Sequence, residues 1–544
     1  MHTAADELVS ALKQSGVRFV FGIPSIHNIS IYEALRKESA IRHILCRHET
    51  TAAHMADGFT RALWCGRQES AAPAAVIAST GPGTCYLAPA VLEAWESSSP
   101  ILIVTTDIPS NVVGKGVGSL HELKDQHSIF RNITKKIIRV QSAGNIDEAA
   151  REAIKAAVSG RPGPVYLEIP TDLLKQNVLK NKEHAIVPEA QTDTLCNLDK
   201  ALDLLNRSKR PMIITGISAV RAGLSKEIST LSRILNAPVI TTTEGKGIIP
   251  EDSELSFGNA AQKGLVQKMA KTSDLAIAVG TRLREVDGKR RGLQLQKLIH
   301  VDWDDVWINR NFTADVSLVG DIRAIVRGIL NNLDPDKGEE KSDSWIRDLI
   351  REKSGALEKI HNSHIELQYI DAIRSAIPRE GVLVIDNTLL GYWAEYFYPS
   401  YRPGGLIAGR GASTIGYAFP AAIGVKIAHP KDKVVGLIGD GGFLYCAQEL
   451  ATCKRHKIGF PLVISNDNAF GIIRYLQRKF YGEEFESSLT NPDFVALANS
   501  FGVQAVRVDT PSLLYDSLQR ALASEEMLII EVQASFREPS FGRY

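Results

Sequence analysis

The sequence has few cysteines, no excess of charge of either sign and no long hydrophobic run. Its 544 residues include 6 cysteines, and none of them forms a C-x-x-C pair or a metal-finger spacing. This argues against a disulfide scaffold or a zinc module and indicates free thiols in a reducing compartment. Lys and Arg number 63 against 62 Asp and Glu, so the formal net charge is +1. That balance offers no general attraction for nucleic acid or for an anionic membrane surface.

The hydrophobic runs are also too short for membrane insertion. The N-terminal segment MHTAADELVSALKQSG is acidic early and lacks the apolar stretch of a signal peptide. No later run reaches the ~18–20 uncharged apolar residues that a membrane span requires. We therefore expect a cytoplasmic protein that binds neither membrane nor nucleic acid. The composition, 44% hydrophobic and 23% charged, is that of an ordinary globular protein. At ~100–200 residues per domain, its length predicts three or four domains.

Short apolar runs alternate with helical patterns along the whole chain. In the first third the amphipathic segment ADELVSALKQSG precedes the strand-like runs VRFVFG, AAVIAST, PILIVTTD and PVYLEIP. Helices between consecutive apolar strands indicate βαβ crossovers and mainly parallel sheets. Two polar segments, at about 175–194 and at 334–344, are interpreted as linkers. The predicted fold class is therefore α/β, with three consecutive open, mainly parallel-sheet domains at 1–178, 190–333 and 355–544.

The most informative segment is KVVGLIGDGGFLYCAQELATCKRHKIGFPLVISNDNAFG. A strand at 434–438 ends at a G-D-G-G turn, a helix is predicted from about Phe443 to His456, and a second strand leads to N-D-N. Asp440 and Asp467 would then lie at the carboxyl ends of neighbouring parallel strands, where open α/β sheets bind ligands. Two carboxylates beside a backbone carbonyl are the hard oxygen ligands that Mg²⁺ prefers. The glycines let backbone N–H groups approach a phosphate.

At these residues the chain resembles the thiamine-diphosphate-dependent enzymes, whose signature is a G-D-G followed further along by an Asn-rich segment. The resemblance implies that Mg²⁺ is bound by the side chains of Asp440 and Asp467 and by the carbonyl of Ala469. Many relatives have Asn in place of Asp467, and Asp ligates Mg²⁺ at least as well. By the same resemblance, the residues that bind thiamine diphosphate would be Pro24, Glu49, Thr80, Gly81, Ile415, Gly439, Asp440, Gly441, Gly442, Asp467, Ala469, Phe470, Gly471 and Ile472.

The segment CRHETTAAHMADGFTRA places Glu49 between a predicted strand and an Ala-rich helix. By itself, an acid at this position is a helix N-terminal residue favoured by the macrodipole. In the resembled family, a glutamate in this R-H-E frame hydrogen-bonds the aminopyrimidine of the cofactor and promotes loss of the thiazolium C2 proton. A buried carboxyl with a raised pKa suits such acid–base work. Glu49 is therefore the principal catalytic residue that we predict.

Other segments extend the resemblance over nearly the whole chain. FGIPSIHN looks like the family's first loop, with Ser25 in place of the usual Gly, and ASTGPGTCY like the loop beside the pyrimidine. DQHSIFRNITK is similar to a stretch of acetolactate-synthase-like members. In GASTIGYAFPAAIG, Ile415 matches the apolar residue that bends the cofactor. The middle domain has the sequence R-L-R-E from Arg282 where FAD-carrying members have another pattern, so bound FAD is not supported.

Two histidines and two isoleucines bear on the type of reaction. His27 aligns with the active-site histidine of benzaldehyde lyase, and His121 lies where that enzyme has a glutamine. Both are candidate catalytic residues that could relay protons near neutral pH, and a purely structural role is the alternative for each. Ile472 and Ile473 match positions that line the substrate pocket, as His27 and His121 would. The bulk of Ile472 favours a small or narrow acyl donor.

The resemblance implies pyrimidine-binding, middle and diphosphate-binding domains and a thiamine-diphosphate- and Mg²⁺-dependent enzyme. We expect it to decarboxylate a 2-oxo acid and to transfer the acyl unit to an acceptor aldehyde or ketone, as acetolactate-synthase-like carboligases do. One alternative is a lyase that cleaves a 2-hydroxy ketone or 2-hydroxyacyl-CoA without decarboxylation. A remoter one is a catalytically inactive partner protein on the same fold. In the family the first domain of one subunit meets the third domain of another, so self-association into a dimer or tetramer is also implied.

Overall fold

The computed structural model describes residues 2–65, 72–180, 196–259, 263–289, 292–334 and 343–539. In these residues the strands form three sheets of six, five and six strands, and every strand pair within the sheets is parallel. Most strands are apolar and buried along their whole length, as expected where helices cover both faces of a sheet. The α/β fold class with three consecutive parallel-sheet domains is confirmed.

The first sheet lies between the two helical layers of the N-terminal unit. Its strands are β1 (Phe19–Gly22), β2 (Arg42–Leu45), β3 (Ala74–Ala78), β4 (Ile101–Asp107), β5 (Lys136–Arg139) and β6 (Val165–Pro170), in the spatial order β2-β1-β3-β4-β6-β5. Its helices are α1 (Ala4–Gln14), α2 (Ile29–Lys37), α3 (Glu49–Leu63), α4 (Pro82–Cys85), α5 (Ala88–Glu96) and α6 (Ile146–Val158). Helix α1 begins at a capping box between Thr3 and Asp6, which satisfies two backbone N–H groups.

The second sheet forms the middle unit. Its strands are β7 (Pro211–Thr215), β8 (Val239–Thr241), β9 (Leu275–Val279), β10 (Leu298–Asp302) and β11 (Val316–Val319), in the order β11-β10-β9-β7-β8. The accompanying helices are α7 (Leu198–Arg207), α8 (Ile217–Arg221), α9 (Ser225–Leu235), α10 (Lys263–Thr272) and α11 (Ile322–Asn331).

The third sheet has the order β13-β12-β14-β15-β17-β16. These strands are β12 (Val382–Ile385), β13 (Leu406–Ala408), β14 (Val434–Gly439), β15 (Pro461–Asn466), β16 (Gln504–Val508) and β17 (Leu528–Gln533). The helices that precede and surround it are α12 (Asp343–His361), α13 (Ile365–Ala376), α14 (Leu389–Phe397), α15 (Ala418–Ala428), α16 (Asp440–Phe443), α17 (Leu450–His456), α18 (Gly471–Tyr481), α19 (Phe494–Ser500) and α20 (Pro511–Ser524). No helix in the described ranges is both long enough and apolar enough to span a membrane.

The first and third units share one apolar core, in which α3 packs against α15. A Cβ atom on Gly424 would lie 1.9 Å from the Met55 carbonyl oxygen, so this helix contact requires glycine. At the same junction the buried guanidinium of Arg61 is 2.9 Å from Glu93 and 3.1 Å from Glu244, a residue of the middle unit. These contacts hold the three units together.

Two helical segments differ from the sequence prediction. The helix expected from Phe443 to His456 is divided, because Cys446 has φ −142° and ψ 8°, outside the helical region, and a 3₁₀ turn precedes α17. Helix α12 was not predicted, because charged residues precede it; Trp345 on this helix donates to Thr272 of the middle unit (3.0 Å). Position 355, where the third predicted domain begins, lies within helix α12. The limits of all three domains stay predictions. The two predicted linkers lie mostly outside the described residues.

Candidate functional site

The predicted site residues lie in two clusters at the carboxyl ends of strands. The first cluster follows β1, β2 and β3 and a later loop, and contains Pro24, His27, Glu49, Thr80, Gly81 and His121. The second cluster follows β14 and β15 and contains Gly439, Asp440, Gly441, Gly442, Asp467, Ala469, Phe470, Gly471, Ile472 and Ile473, with Ile415 beside it.

Glu49 begins α3, directly after the short loop that follows β2. Its Oε1 lies 3.2 Å from the position that a Cβ on Gly83 would take, and the Ser79 Cβ lies 3.1 Å from the same position. Glu49 and Ser79 therefore approach each other over a residue without a side chain. The Glu49 side chain is half-buried in the single chain, so the full burial expected for an acid–base carboxyl is not reached there.

His27 and His121 come together although 93 residues separate them in sequence. Their ring centroids are 4.9 Å apart. Ser79 Oγ lies 3.4 Å from His27 Nδ1, and Ser25 Oγ donates to Ser79 Oγ over 2.8 Å. Burial lowers the pKa of His27, and the neighbouring charge of His121 lowers it further. Ser79 was not predicted as a site residue; its place next to the G-P-G turn is the sequence signal that could have found it.

The other members of the first cluster, Gly81, Thr80 and Pro24, do not contact the two histidine rings through hydrogen bonds between the described residues. The backbone N–H of Gly81 donates to Gln126 Oε1 (2.7 Å), and Gln126 in turn donates to the Thr106 carbonyl (2.9 Å). Thr80 is fully buried and hydrogen-bonds Thr106, so its side chain faces the protein interior. Pro24 is exposed. Gln126, which sequence reasoning did not select, orients the turn at Gly81.

Asp440 and Asp467 follow neighbouring strands, as predicted, because β14 pairs with β15. Both carboxylates accept from the backbone N–H of Ala469. Burial raises the pKa of Asp440. Burial also raises the pKa of Asp467, to about 6, with a further increase from the charge of Asp440. The two carboxylates are therefore close together and desolvated.

Two further residues contact these carboxylates, and neither was predicted. Asn491 Nδ2 donates to Asp440 Oδ2 (2.7 Å), while its own Oδ1 is buried and has no hydrogen-bond partner in the described part of the chain. Arg474 Nη2 lies 2.9 Å from Asp467 Oδ2. Asn491 is far from the motif in sequence, so no local signal marked it. Arg474 lies one helical turn after Gly471, and that spacing could have marked it.

Apolar groups cover the glycine turn of the second cluster. The Phe470 ring lies 2.9 Å from the position of a Cβ on Gly441, and Ile415 Cγ1 lies 3.3 Å from that position on Gly442. Ile472 packs partly against the neighbouring apolar core, whereas Ile473 is exposed. The glycines of this turn have no side chain to offer a ligand, so they would contact it through backbone groups.

The donor set of the second cluster suits a hard divalent cation. Within the described part of the chain, no three His, Cys, Asp or Glu side chains converge as a metal site. A cation here would therefore be bound by two carboxylates and a backbone carbonyl, with water or phosphate oxygens at its other positions, as Mg²⁺ commonly is. The buried, unpartnered Asn491 Oδ1 supplies one more oxygen nearby.

The two clusters share no hydrogen bond or ion pair among the residues that the structure describes. Exposed apolar side chains lie beside both. Ile26 (69% exposed) and Leu120 (60%) flank the first cluster, and Tyr445 (62%) flanks the second. Exposed apolar groups around an open polar site are typical of a surface that another molecule covers.

Comparison with known proteins gives matches along most of the chain. Three family models match in succession: thiamine pyrophosphate enzyme, N-terminal TPP binding domain (residues 2–129), central domain (198–329) and C-terminal TPP binding domain (386–532). A probable acetolactate synthase large subunit of Methanocaldococcus jannaschii is 31% identical, over 97% of this chain and 91% of that protein. A probable 2-ketoarginine decarboxylase of Pseudomonas aeruginosa is 32% identical, over 98% and 94%. The acetolactate synthase large subunit of Haemophilus influenzae is 28% identical, over 97% and 93%.

Proposed function

Since the chain belongs to the thiamine pyrophosphate enzyme family and is an enzyme of its carboligase and decarboxylase type, we propose that it decarboxylates a 2-oxo acid and transfers the acyl unit to an acceptor aldehyde or ketone with the help of Mg²⁺. The observation that carries the proposal is the pair of desolvated carboxylates, Asp440 and Asp467, on neighbouring strand ends beside a glycine turn. Relatives named acetolactate synthase support the carboligase activity.

The second cluster would bind the diphosphate of thiamine diphosphate through Mg²⁺. Asp440, Asp467 and the Ala469 carbonyl would bind the metal, and Asn491 would keep the Asp440 carboxylate oriented. The turn from Gly439 to Gly442 would present backbone N–H groups to the phosphates. Ile415, Phe470, Gly471 and Ile472 would contact the rest of the cofactor. When bound, thiamine diphosphate supplies a thiazolium that takes up the electrons released by C–C cleavage.

The first cluster would bind the pyrimidine ring of the cofactor and transfer protons. Glu49 would hydrogen-bond the cofactor's aminopyrimidine, and Pro24, Gly81 and the backbone of Thr80 would form the wall around that ring. His27 and His121, with rings 4.9 Å apart, would hold or move a proton at the substrate oxygen. Burial lowers the pKa of His27, so this ring stays neutral down to a lower pH than an exposed histidine, whereas His121 is exposed. Neutral imidazole at working pH is suited to both accepting and donating a proton.

Self-association completes the proposal. Glu49 is half-buried, no hydrogen bond or ion pair joins the two clusters among the described residues of one chain, and exposed apolar side chains flank each. We infer that the first cluster of one copy faces the second cluster of another, in a homodimer or a tetramer built from dimers. The cytoplasmic location also stays a prediction.

Two observations bear on the acyl donor. Ile472 favours a small or narrow acyl donor near the second cluster, where Ile473 would also line the substrate pocket. The relative named 2-ketoarginine decarboxylase supports simple decarboxylation of a longer 2-oxo acid as a second candidate. Specificity between such donors depends on pocket contacts worth only ~1–3 kcal/mol per methylene.

Calorimetry and a product screen test the proposal together. We expect the purified chain to bind thiamine diphosphate when Mg²⁺ is present and to lose that binding with EDTA or in Asp440→Asn. Incubation with pyruvate, 2-oxobutyrate and 2-ketoarginine, with and without an added aldehyde, should give CO₂ and an acyloin or acetohydroxy acid, read by mass spectrometry. Absence of cofactor binding by the wild type would refute the proposal. CO₂ with free aldehyde as the sole product would favour the decarboxylase candidate.

A further inference from the structure

The side chain of Arg474 contacts the second cluster and has no role in the function proposed above. It extends from the first turn of α18, and its Nη2 lies 2.9 Å from Asp467 Oδ2. Both side chains are largely buried, with 20% of Arg474 and 10% of Asp467 exposed. A partly buried ion pair is less screened by solvent than a surface pair and acts more strongly on nearby charges.

Arg474 is the one cation paired with either carboxylate in the part of the chain that the structure describes. Asp440 is held instead by the neutral amide of Asn491, at 2.7 Å, and by backbone N–H groups. The charge of Asp440 is therefore left for a metal ion, whereas the charge of Asp467 is already matched by a protein cation.

Arg474 binds only one of the two oxygens of the Asp467 carboxylate. Asp467 Oδ2 lies 2.6 Å from the position of a Cβ on Gly471, so the carboxylate rests against the start of α18. Arg474 binds this same oxygen. The other oxygen, Oδ1, is the one that Arg474 leaves for a metal ion.

We infer that Arg474 is a positioning residue that neutralises Asp467, so that the second cluster keeps a net positive charge toward a diphosphate once Mg²⁺ is bound. Two carboxylates alone would cancel the charge of Mg²⁺. With Arg474 included, one positive charge remains, and an anionic phosphate is attracted to it. This inference rests on the proposed function, because it concerns the same cofactor site.

A double-mutant cycle on the full-length protein tests the inference. Thiamine diphosphate is titrated by calorimetry into wild type, Arg474→Gln, Asp467→Asn and the double variant, at saturating Mg²⁺. Arg474→Gln should weaken binding about tenfold, the size expected for one partly screened charge contact. Adding Asp467→Asn to it restores the charge balance, and binding should return to within about threefold of wild type. Arg474→Lys, which keeps the charge, should bind like wild type.

The matched control is Arg478→Gln, one turn further along α18, where the arginine pairs with Glu484 outside the cluster. It should leave the affinity unchanged. A double variant as weak as Arg474→Gln would overturn the inference, because the arginine would then contact the diphosphate itself or merely brace the helix. Thermal unfolding of the metal-free variants separates these two outcomes, since only a brace lowers the melting temperature. A wild type that does not bind the cofactor refutes the proposed function instead.

Discussion

At the residue scale, two serine hydroxyls organise the first cluster. Ser25 Oγ accepts from the backbone N–H of His27 and Asn28, at 3.3 and 3.4 Å, and donates to Ser79 Oγ. Because Ser25 donates its hydroxyl proton to Ser79 Oγ, Ser79 can donate its own hydroxyl proton to His27 Nδ1, which lies 3.4 Å away. A neutral His27 that accepts at Nδ1 carries its own proton on Nε2. The serines therefore select one tautomer of the histidine.

His121 should control the charge of its neighbour. Its positive charge, when present, lowers the pKa of His27. We expect His121→Gln to raise the pKa of His27, so that His27 takes up its proton at a higher pH than in wild type. The change is read from the His27 ring signals in a pH titration by NMR, with His27→Gln for assignment. His361→Gln, on the exposed end of α12, is the control. An unchanged or lower His27 pKa would contradict the interpretation.

At the scale of elements, the α3–α15 contact buries a histidine. His54 on α3 is 1% exposed, and among the described residues neither of its ring nitrogens has a hydrogen-bond partner. The ring packs edge-on against Tyr417, with centroids 5.1 Å apart. Asp57 and Arg61 are the charged groups nearby, and their effects on His54 oppose each other. Burial lowers the pKa of His54 to about 4, from an ordinary value of 6.5.

This histidine should make the helix contact sensitive to acid. Between pH 6.5 and about 4 the unfolded chain binds a proton at His54 that the folded chain does not. The contribution of His54 to the free energy of unfolding is therefore complete above pH 6.5 and falls as the pH decreases, by up to about 1.4 kcal/mol per pH unit. Urea unfolding of wild type and His54→Leu at pH 7.5, 6 and 5 should show a shallower loss in the variant. Part of the remainder would come from His43, whose pKa burial lowers to about 4. His27, His300 and His456 would add to it, since burial lowers their pKa as well.

The control for this comparison is again an exposed histidine. His361→Leu removes a histidine whose side chain is 48% exposed and ion-paired with Asp371, so it separates the loss of a surface histidine from the loss of the buried ring. Equal slopes in wild type and His54→Leu would show that His54 is protonated or hydrated in the folded protein, contrary to its buried surroundings.

At the scale of the whole molecule, one chain carries both clusters, and no hydrogen bond or ion pair joins them in the part of the chain that the structure describes. If each active site takes Glu49 from one copy and Asp440 from another, two inactive variants should complement each other. In a mixed dimer of Glu49→Gln and Asp440→Asn, one site has both substitutions and the other has neither. Random pairing should then give about a quarter of wild-type activity.

Co-expression of the two variants with different tags, followed by tandem purification, isolates the mixed dimer for assay. The purified mixed dimer should have about half the activity of wild type, with one site of two intact. Two copies of the same variant, treated alike, are the control. Inactive mixed dimers would contradict a shared site and would require both residues to act within one chain.

Much of this fold could be predicted because its signals are local. Apolar runs such as Val434–Ile438 are bounded by glycine and polar residues, and helical patterns separate them, so parallel sheets follow. The strand-end positions of Asp440, Asp467 and Glu49 could be read in the same way. Helix α12 could not, because charged residues precede it and its Trp345 has its hydrogen-bond partner, Thr272, in the distant middle unit.

The sequence by itself determined the three-unit α/β architecture, the acids at the strand ends and the family resemblance, since each depends on residues close together in the chain. Only the tertiary structure decided which side chains complete the clusters. Ser79 reaches His27, Asn491 reaches Asp440, and His121 lies beside His27 because loops distant in sequence converge where parallel strands end. Such contacts arise from packing over long sequence separations, and no local pattern specifies them.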